Sequence, residues 1–186
     1  VIFNPHSAFA GKHAFLSPSQ YHWINYDYDK LEAKYRSARN AARGTSLHAL
    51  AHNAITLGVK LSSANRGLAR YVNDAIHYNM ESEQTLYYSE NCFGQADAIC
   101  FRRKTLRIHD LKTGIGKTSV HQLEVYAALF CLEYDYSPHE IDMEFRIYQF
   151  DEPDIFDGDP NVVLDIMQTI VEFDMRIEFM KEKELT

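Results

Sequence analysis

Apolar positions along the chain follow two periods, a helical one at both ends and an alternating one in the middle. Ser17-Pro18-Ser19 ahead of Gln20, Tyr21 and Trp23 predicts a short capped helix, with proline tolerated in its first turn. Asp29 to about Ala42 is helix-forming, Gly44-Thr45-Ser46 reads as a break that caps a further helix through Leu57, and Gly58 ends it. Arg66 to Met80 predicts a third helix. Strands are then expected from Thr85 to Tyr88 and through YYSENCFGQADAICF, followed by the polar turn Arg102-Arg103-Lys104 and the strand LRIHDLK. From Ser119 to Tyr134 helical spacing returns, with Val120, Leu123, Ala127 and Phe130 on one face. IDMEFRIYQF alternates as a half-exposed strand, DEPDIFDGDP reads as an acidic loop, and a long helix is expected from about Val162 to Lys183. Helices first, strands in the middle and one helix among the strands imply an α/β (α+β) fold.

A length of 186 residues suits one well-buried domain, so a single domain over 1–186 is expected, with a helical part at about 17–80, a core at about 84–150 and the last helix at about 162–183. Hydrophobic residues at 46% and charged residues at 24% argue against disorder and fibrous repeats. Nineteen basic against twenty-six acidic residues, a net charge of -7, argue against a protein that coats nucleic acid non-specifically but leave room for a locally basic cleft. Cys92, Cys100 and Cys131 are odd in number and lack Cys-x-x-Cys spacing, so neither a zinc ribbon nor a disulfide framework is expected, and a reducing cytoplasm fits. No apolar run reaches membrane-span length, and VIFNPHSAFAGKH lacks the charged-then-apolar order of a signal peptide.

The residues that suit chemistry lie between Gly94 and Tyr126. Side chains two apart on a strand share a face, so Asp110 and Lys112 project together while Leu111 points the other way, toward core. Pairing across the expected hairpin brings Asp97 beside Asp110. Two neighbouring carboxylates repel unless a cation lies between them or one holds a proton. Asp97 also sits among Ala96, Ala98 and Ile99, where an unpaired buried charge is costly. Hard oxygen ligands favour magnesium or manganese over zinc. Gln122 and Tyr126, four apart on the following helix, form a polar pair that can overlook the carboxylates.

Taken together these residues resemble the RecB-like branch of the PD-(D/E)xK nucleases, whose pattern is a helix histidine, a Gly-x-x-Asp strand, an Asp/Glu-x-Lys strand and a helix with Gln-x-x-x-Tyr. The matching residues are His48 in RGTSLHALAH, Asp97 in GQADAI, Asp110 and Lys112 in HDLKTG, and Gln122 and Tyr126 in HQLEVY, covering roughly residues 40 to 150. The resemblance implies a restriction-endonuclease-like core, a central mixed sheet flanked by helices. It implies a metal-dependent deoxyribonuclease, an exonuclease in recombination, repair or phage DNA metabolism, acting in the cytoplasm of a bacterial cell or phage-infected host. Mg2+ or Mn2+ would be held by His48, Asp97, Asp110 and the main-chain carbonyl of Leu111. Lys112 would orient the attacking water and stabilise developing charge, with Gln122 and Tyr126 positioning Lys112 or a phosphate. The implied partner is DNA, with a homo-oligomer or a recombination protein as further partners. The four cysteines that hold an iron-sulfur cluster in some relatives are missing. The alternative is a nuclease-like fold that does not cut and serves as a DNA-binding accessory or inhibitor.

Other motifs fail on spacing. His48 and His52 are four apart like the zinc pair of metallopeptidases, but the required Glu is Ala49; His52 is read as structural. In KTGIGKTS the first glycine of a phosphate-binding loop falls at Leu111, so no nucleotide cofactor is expected. Lys117 and Thr118 are read as a helix start facing a DNA phosphate. Arg102 and Arg103 are a solvated turn by default and DNA contacts in the nuclease reading. His109 and His121 are left open between structural and DNA-contacting roles, and Asp151 to Asp159 lacks the ligand order of an EF-hand.

Overall fold

The computed structural model describes residues 14–62 and 66–184; the segment VIFNPHSAFAGKH lies outside the described residues. The chain divides into two compact units, 1–45 and 46–186. In the first, Pro18–Asn25 is a 3₁₀ helix. The Ser17 hydroxyl meets Ser19 Oγ at 2.8 Å and caps no backbone N–H, and the Trp23 indole donates to the Ser17 carbonyl at 2.9 Å. Asp27 supplies the cap for the helix that follows, its carboxylate accepting the Lys30 N–H at 2.7 Å.

That helix, α1 (Tyr28–Thr56), corrects one expectation: it passes through Gly44-Thr45-Ser46 without a break. The Thr45 hydroxyl donates to the Ala41 carbonyl at 3.2 Å, four residues back, so the group expected to cap a new helix is satisfied inside the existing one. The boundary between the two units nevertheless falls at these residues. The helix ends as expected at Gly58, whose φ of 66° is the left-handed cap that lets Val59 N–H return to the Ala54 carbonyl.

The second unit begins on the last turns of α1 and continues with α2 (Arg66–Tyr78), which buries Leu68, Tyr71, Val72 and Ala75 at helical spacing. Five strands follow in one mixed sheet, in spatial order β1 (Glu81–Ser89), β2 (Cys92–Arg102), β3 (Thr105–Leu111), β4 (Asp142–Tyr148) and β5 (Asp154–Asp157). The stretch from Tyr87 to Phe101, read as one strand, turns at Glu90-Asn91, where the Asn91 N–H is taken by Ser89 Oγ at 3.1 Å. The β2–β3 hairpin forms where expected, with Arg103 and Lys104 at φ 50° and 64°, the paired left-handed residues of a tight two-residue turn. Its register, Ala98 opposite His109, sets Asp97 opposite Asp110 one step further on.

β4 runs parallel to β3, and α3 (His121–Tyr134) makes the crossover that parallel pairing demands. β4 alternates as a half-exposed strand does, with Met143, Phe145 and Ile147 buried between more exposed neighbours, and Tyr148 at its end buried as well. One further reading changes here. The acidic stretch contains β5, an exposed edge strand paired antiparallel to β4. Acidic side chains on an edge oppose pairing with another chain. The last helix, α4 (Pro160–Glu184), begins and ends close to its expected bounds.

Each face of the sheet carries its own core. Leu106, Ile108 and Phe145 pack with Leu123, Ala127 and Phe130 of α3 and Val163 of α4. On the opposite face Ala98, Leu111 and Tyr148 pack with Ala51 and Ile55 of α1 and with Tyr71 and Val72 of α2. Strand β3 is therefore buried on both sides, and its alternation orients Asp110 away from Leu111.

A polar network lies beside the second core. Arg146 donates to Glu144 at 2.9 Å, Tyr78 Oη at 2.9 Å and Asp74 at 3.3 Å, and Tyr148 Oη donates to Asp74 at 2.7 Å. His109 is fully buried against it with no partner at Nε2. Burial, with the charges of Arg146 and Arg107, pushes its pKa down to about 3. Between that value and the unfolded value of about 6.5 the unfolded chain binds the extra proton, so stability falls as pH drops below about 6.5, by about 2 kcal/mol at pH 5. His109→Leu is expected to flatten this part of the stability curve in urea melts between pH 7 and 5; an unchanged slope would locate the acid sensitivity elsewhere.

Candidate active site

The hairpin register, the end of β3 and the first turns of α3 bring Asp97, Asp110, Lys112, Gln122 and Tyr126 together. Asp97 Oδ2 accepts the Leu111 backbone N–H at 2.8 Å, which fixes the carboxylate across the strand pair and leaves Oδ1 toward His48 Nδ1, 3.6 Å away on α1. Asp110 is almost fully buried. The Lys112 ammonium straddles it, 3.0 Å from each oxygen, but only the contact with Oδ1 has hydrogen-bond geometry. Oδ2 is thus buried without a donor.

The other side of Lys112 is held from α3. Gln122 Oε1 accepts from Nζ at 2.9 Å, its amide nitrogen donates to Tyr126 Oη at 3.3 Å, and Tyr126 Oη donates to the Gln95 carbonyl at 2.6 Å. This chain of bonds ties α3 to β2 and aims the ammonium at Asp110. Gly94 helps it fit: a Cβ there would stand 3.0 Å from Tyr126 Cε1, so the ring would have to give by a few tenths of an ångström to admit a side chain. Gly94 therefore has a packing role in the Gly-x-x-Asp pattern.

Electrostatics follow from burial and from the closeness of the two acids. Desolvation first, then the charge of Asp97, raise the Asp110 pKa above the ordinary carboxylate value, against the opposing pull of Lys112 and His48. The Asp97 carboxylate raises the His48 pKa despite partial desolvation. A buried carboxylate with an undonated oxygen beside a second carboxylate is the environment that a bound cation relieves. Oxygen donors from Asp97 and Asp110 with a histidine nitrogen suit magnesium or manganese. Among the described residues no three His, Cys, Asp or Glu side chains stand at ligating distances as a set, so His48, Asp97 and Asp110 flank this spot without closing on it.

The expected DNA contacts divide. Lys117 is exposed and Thr118 half-buried in the loop between β3 and α3, and α3 starts only at His121, so they are not the helix start expected of them. Arg102 and Arg103 are exposed, but Arg102 lies five residues along β2 from Asp97, about 17 Å at strand rise, at the far end of the hairpin. The structure does not bring them to the site.

His52 is read as structural, and Gln149 and Glu124 are not singled out from the sequence. His52 meets Ser82 Oγ at 3.2 Å and Glu83 at 3.8 Å, and Ser82 donates to the Asp97 carbonyl at 3.2 Å, so it supports the strand under Asp97. Its spacing from His48 was the available signal. Gln149, just after β4, donates its side-chain amide to the Gly114 and Gly116 carbonyls, each at 2.7 Å. Glu124 is buried in α3 and meets His121 Nδ1 at 2.7 Å, which gives His121 a structural partner. Nothing local in the sequence marks the contact from Gln149 to Gly114, thirty-five residues apart. In comparisons with known proteins, no family model matches the chain and no curated protein is significantly similar to it.

Proposed function

We propose that the protein is a metal-dependent nuclease that hydrolyses DNA phosphodiester bonds on a restriction-endonuclease-like core. The observation that carries this reading is the placement of Lys112, whose ammonium is held between Asp110 and Gln122 beside Asp97. An isolated ion pair needs no second holder; a cation kept in register by a helix glutamine and its tyrosine is set to act on something that arrives.

Asp97 and Asp110 would hold Mg2+ or Mn2+, with His48 and the Leu111 carbonyl as further ligands. The ion, when bound, lowers the pKa of a water and offsets charge on the scissile phosphate. The chain's own work is then assigned as follows. Lys112 Nζ donates to a non-bridging phosphate oxygen or to the attacking water, stabilising charge that develops in the transition state. Gln122 and Tyr126 fix the direction of that donor, and Leu111 N–H fixes the Asp97 carboxylate.

Incubating the protein with end-labelled linear and covalently closed DNA, with Mn2+ and with chelator, tests this. Metal-dependent loss of linear DNA is expected. Binding without cleavage under every divalent ion would favour the accessory reading.

His48 yields a separate expectation. Its pKa is raised by Asp97, so the charged pair contributes stability that is present below about pH 6.5 and lost as pH rises through the folded value. Metal-free His48→Ala is expected to melt like wild type at pH 8 and earlier than wild type at pH 5.5. If His48 is a ligand, protons compete with the metal. The variant should then cut slowly at low Mn2+ and recover in part as Mn2+ is raised. A variant that melts early at pH 8 and gains nothing from Mn2+ would make His48 a packing residue.

A further inference from the structure

The loop from Lys112 to Val120 carries a feature that the metal site does not use. Ile115 is 96% exposed, more so than any other large apolar residue described. Single exposed apolar residues are common, so the exposure gains meaning only from the setting of Ile115. Here the flanking positions are Gly114 and Gly116, where an added Cβ would meet nothing within 4 Å, so Ile115 stands clear on both sides. The backbone beneath it is restrained all the same. The Gln149 amide nitrogen donates to the Gly114 and Gly116 carbonyls, both at 2.7 Å, and so tethers the backbone before and after Ile115.

Ile115 is three positions along the chain from Lys112, a reach of at most about 11 Å between their Cα atoms. Lys117, exposed two residues further on, places a cation in the same loop. A β-branched apolar side chain is stiff at χ1 and offers no hydrogen bond. Its complement is a flat apolar surface with negative charge alongside, and a nucleobase next to its own phosphate has that form. Aliphatic side chains used in this way pack on or between base steps and partly unstack them.

We propose that Ile115 is a positioning residue that packs on the nucleobase beside the scissile phosphate and holds the adjoining base pair open, while Lys117 takes the neighbouring phosphate. The proposal rests on the nuclease reading above, and it assigns this loop to duplex substrates in particular. A single strand has no pair to open, so the contribution of Ile115 should be largest on paired DNA.

The test compares wild type, Ile115→Ala, Ile115→Val and Gln149→Ala with Mn2+ on three substrates of one sequence: a blunt duplex, the same duplex with mismatched terminal pairs, and the single strand. For Ile115→Ala the ratio of duplex to single-strand rate is expected to fall at least tenfold. Ile115→Val should keep most of the ratio, and Gln149→Ala should lose it as Ile115→Ala does. Terminal mismatches should restore much of the rate of Ile115→Ala, a rescue that a general disturbance of the loop would not give. A ratio within twofold of wild type, or equal loss on all three substrates, overturns the assignment and leaves the nuclease reading intact. Wild type that cuts none of the three overturns both.

Discussion

Lys112→Ala is expected to slow metal-dependent cleavage of linear DNA by about a hundred- to a thousandfold, the 2.7 to 4 kcal/mol typical of losing one preorganised donor. The structure gives reasons for an effect of that size. The ammonium is oriented by two partners before any substrate arrives, so little reorganisation is left for the reaction itself. Low dielectric around the buried Asp110 strengthens whatever the charge touches. Binding of a labelled duplex in chelator should weaken by far less than cleavage, because the donor is assigned to the transition state. Cleavage by Lys112→Ala at near the wild-type rate would remove the residue from the chemistry, whatever the fate of the metal site.

Asp110→Asn carries the second large effect, and its two readouts move in opposite directions. Burial and Asp97 raise the Asp110 pKa in the folded protein, so between the unfolded and folded values the folded state binds the extra proton and stability falls as pH rises. At neutral pH the ionised group is therefore a net cost to the metal-free fold. Replacing it with the neutral isostere removes the repulsion from Asp97 while keeping an oxygen for Lys112, so metal-free Asp110→Asn should melt above wild type at pH 7.5. The same change takes away a charge that the cation needs, so calorimetry should show weakened Mn2+ binding and cleavage should be lost. Asp97→Asn should also weaken Mn2+ binding. A metal-free Asp110→Asn that melts lower, or one that binds Mn2+ as wild type does, would mean that the acidic pair is not built for a cation. Sites kept for function are often places where the fold is less stable than it could be.

Much of the site was legible because its parts are local. Strand period two puts Asp110 and Lys112 on one face, and helix period 3.6 puts Gln122 above Tyr126; both hold in the structure. The hairpin turn at Arg103-Lys104 is equally local, and with it goes the register that sets Asp97 against Asp110. Where the reading failed, a local signal was outweighed. Gly44-Thr45-Ser46 has the composition of a helix boundary, yet α1 runs on because the Thr45 hydroxyl is satisfied by a carbonyl one turn back. The β1–β2 turn at Glu90-Asn91 was hidden because apolar residues on both sides read as one strand. The acidic stretch hid β5 because edge strands carry charge and lack the apolar alternation of interior ones.

By itself, then, the sequence determined the order of most elements, the α/β class and the facing of Asp110, Lys112, Gln122 and Tyr126, all set by backbone periodicity and turn preferences within a few residues. Only the tertiary structure decided which distant groups meet. It placed His48 at Asp97 from a helix forty-nine positions earlier, left Arg102 and Arg103 at the wrong end of the hairpin, and brought Gln149 back under Gly114 and Gly116. It also left Asp110 Oδ2 buried without a donor. Contacts of that kind depend on how sheet and helices pack, and packing is fixed by the summed burial of both cores, not by any residue's own neighbours in the chain.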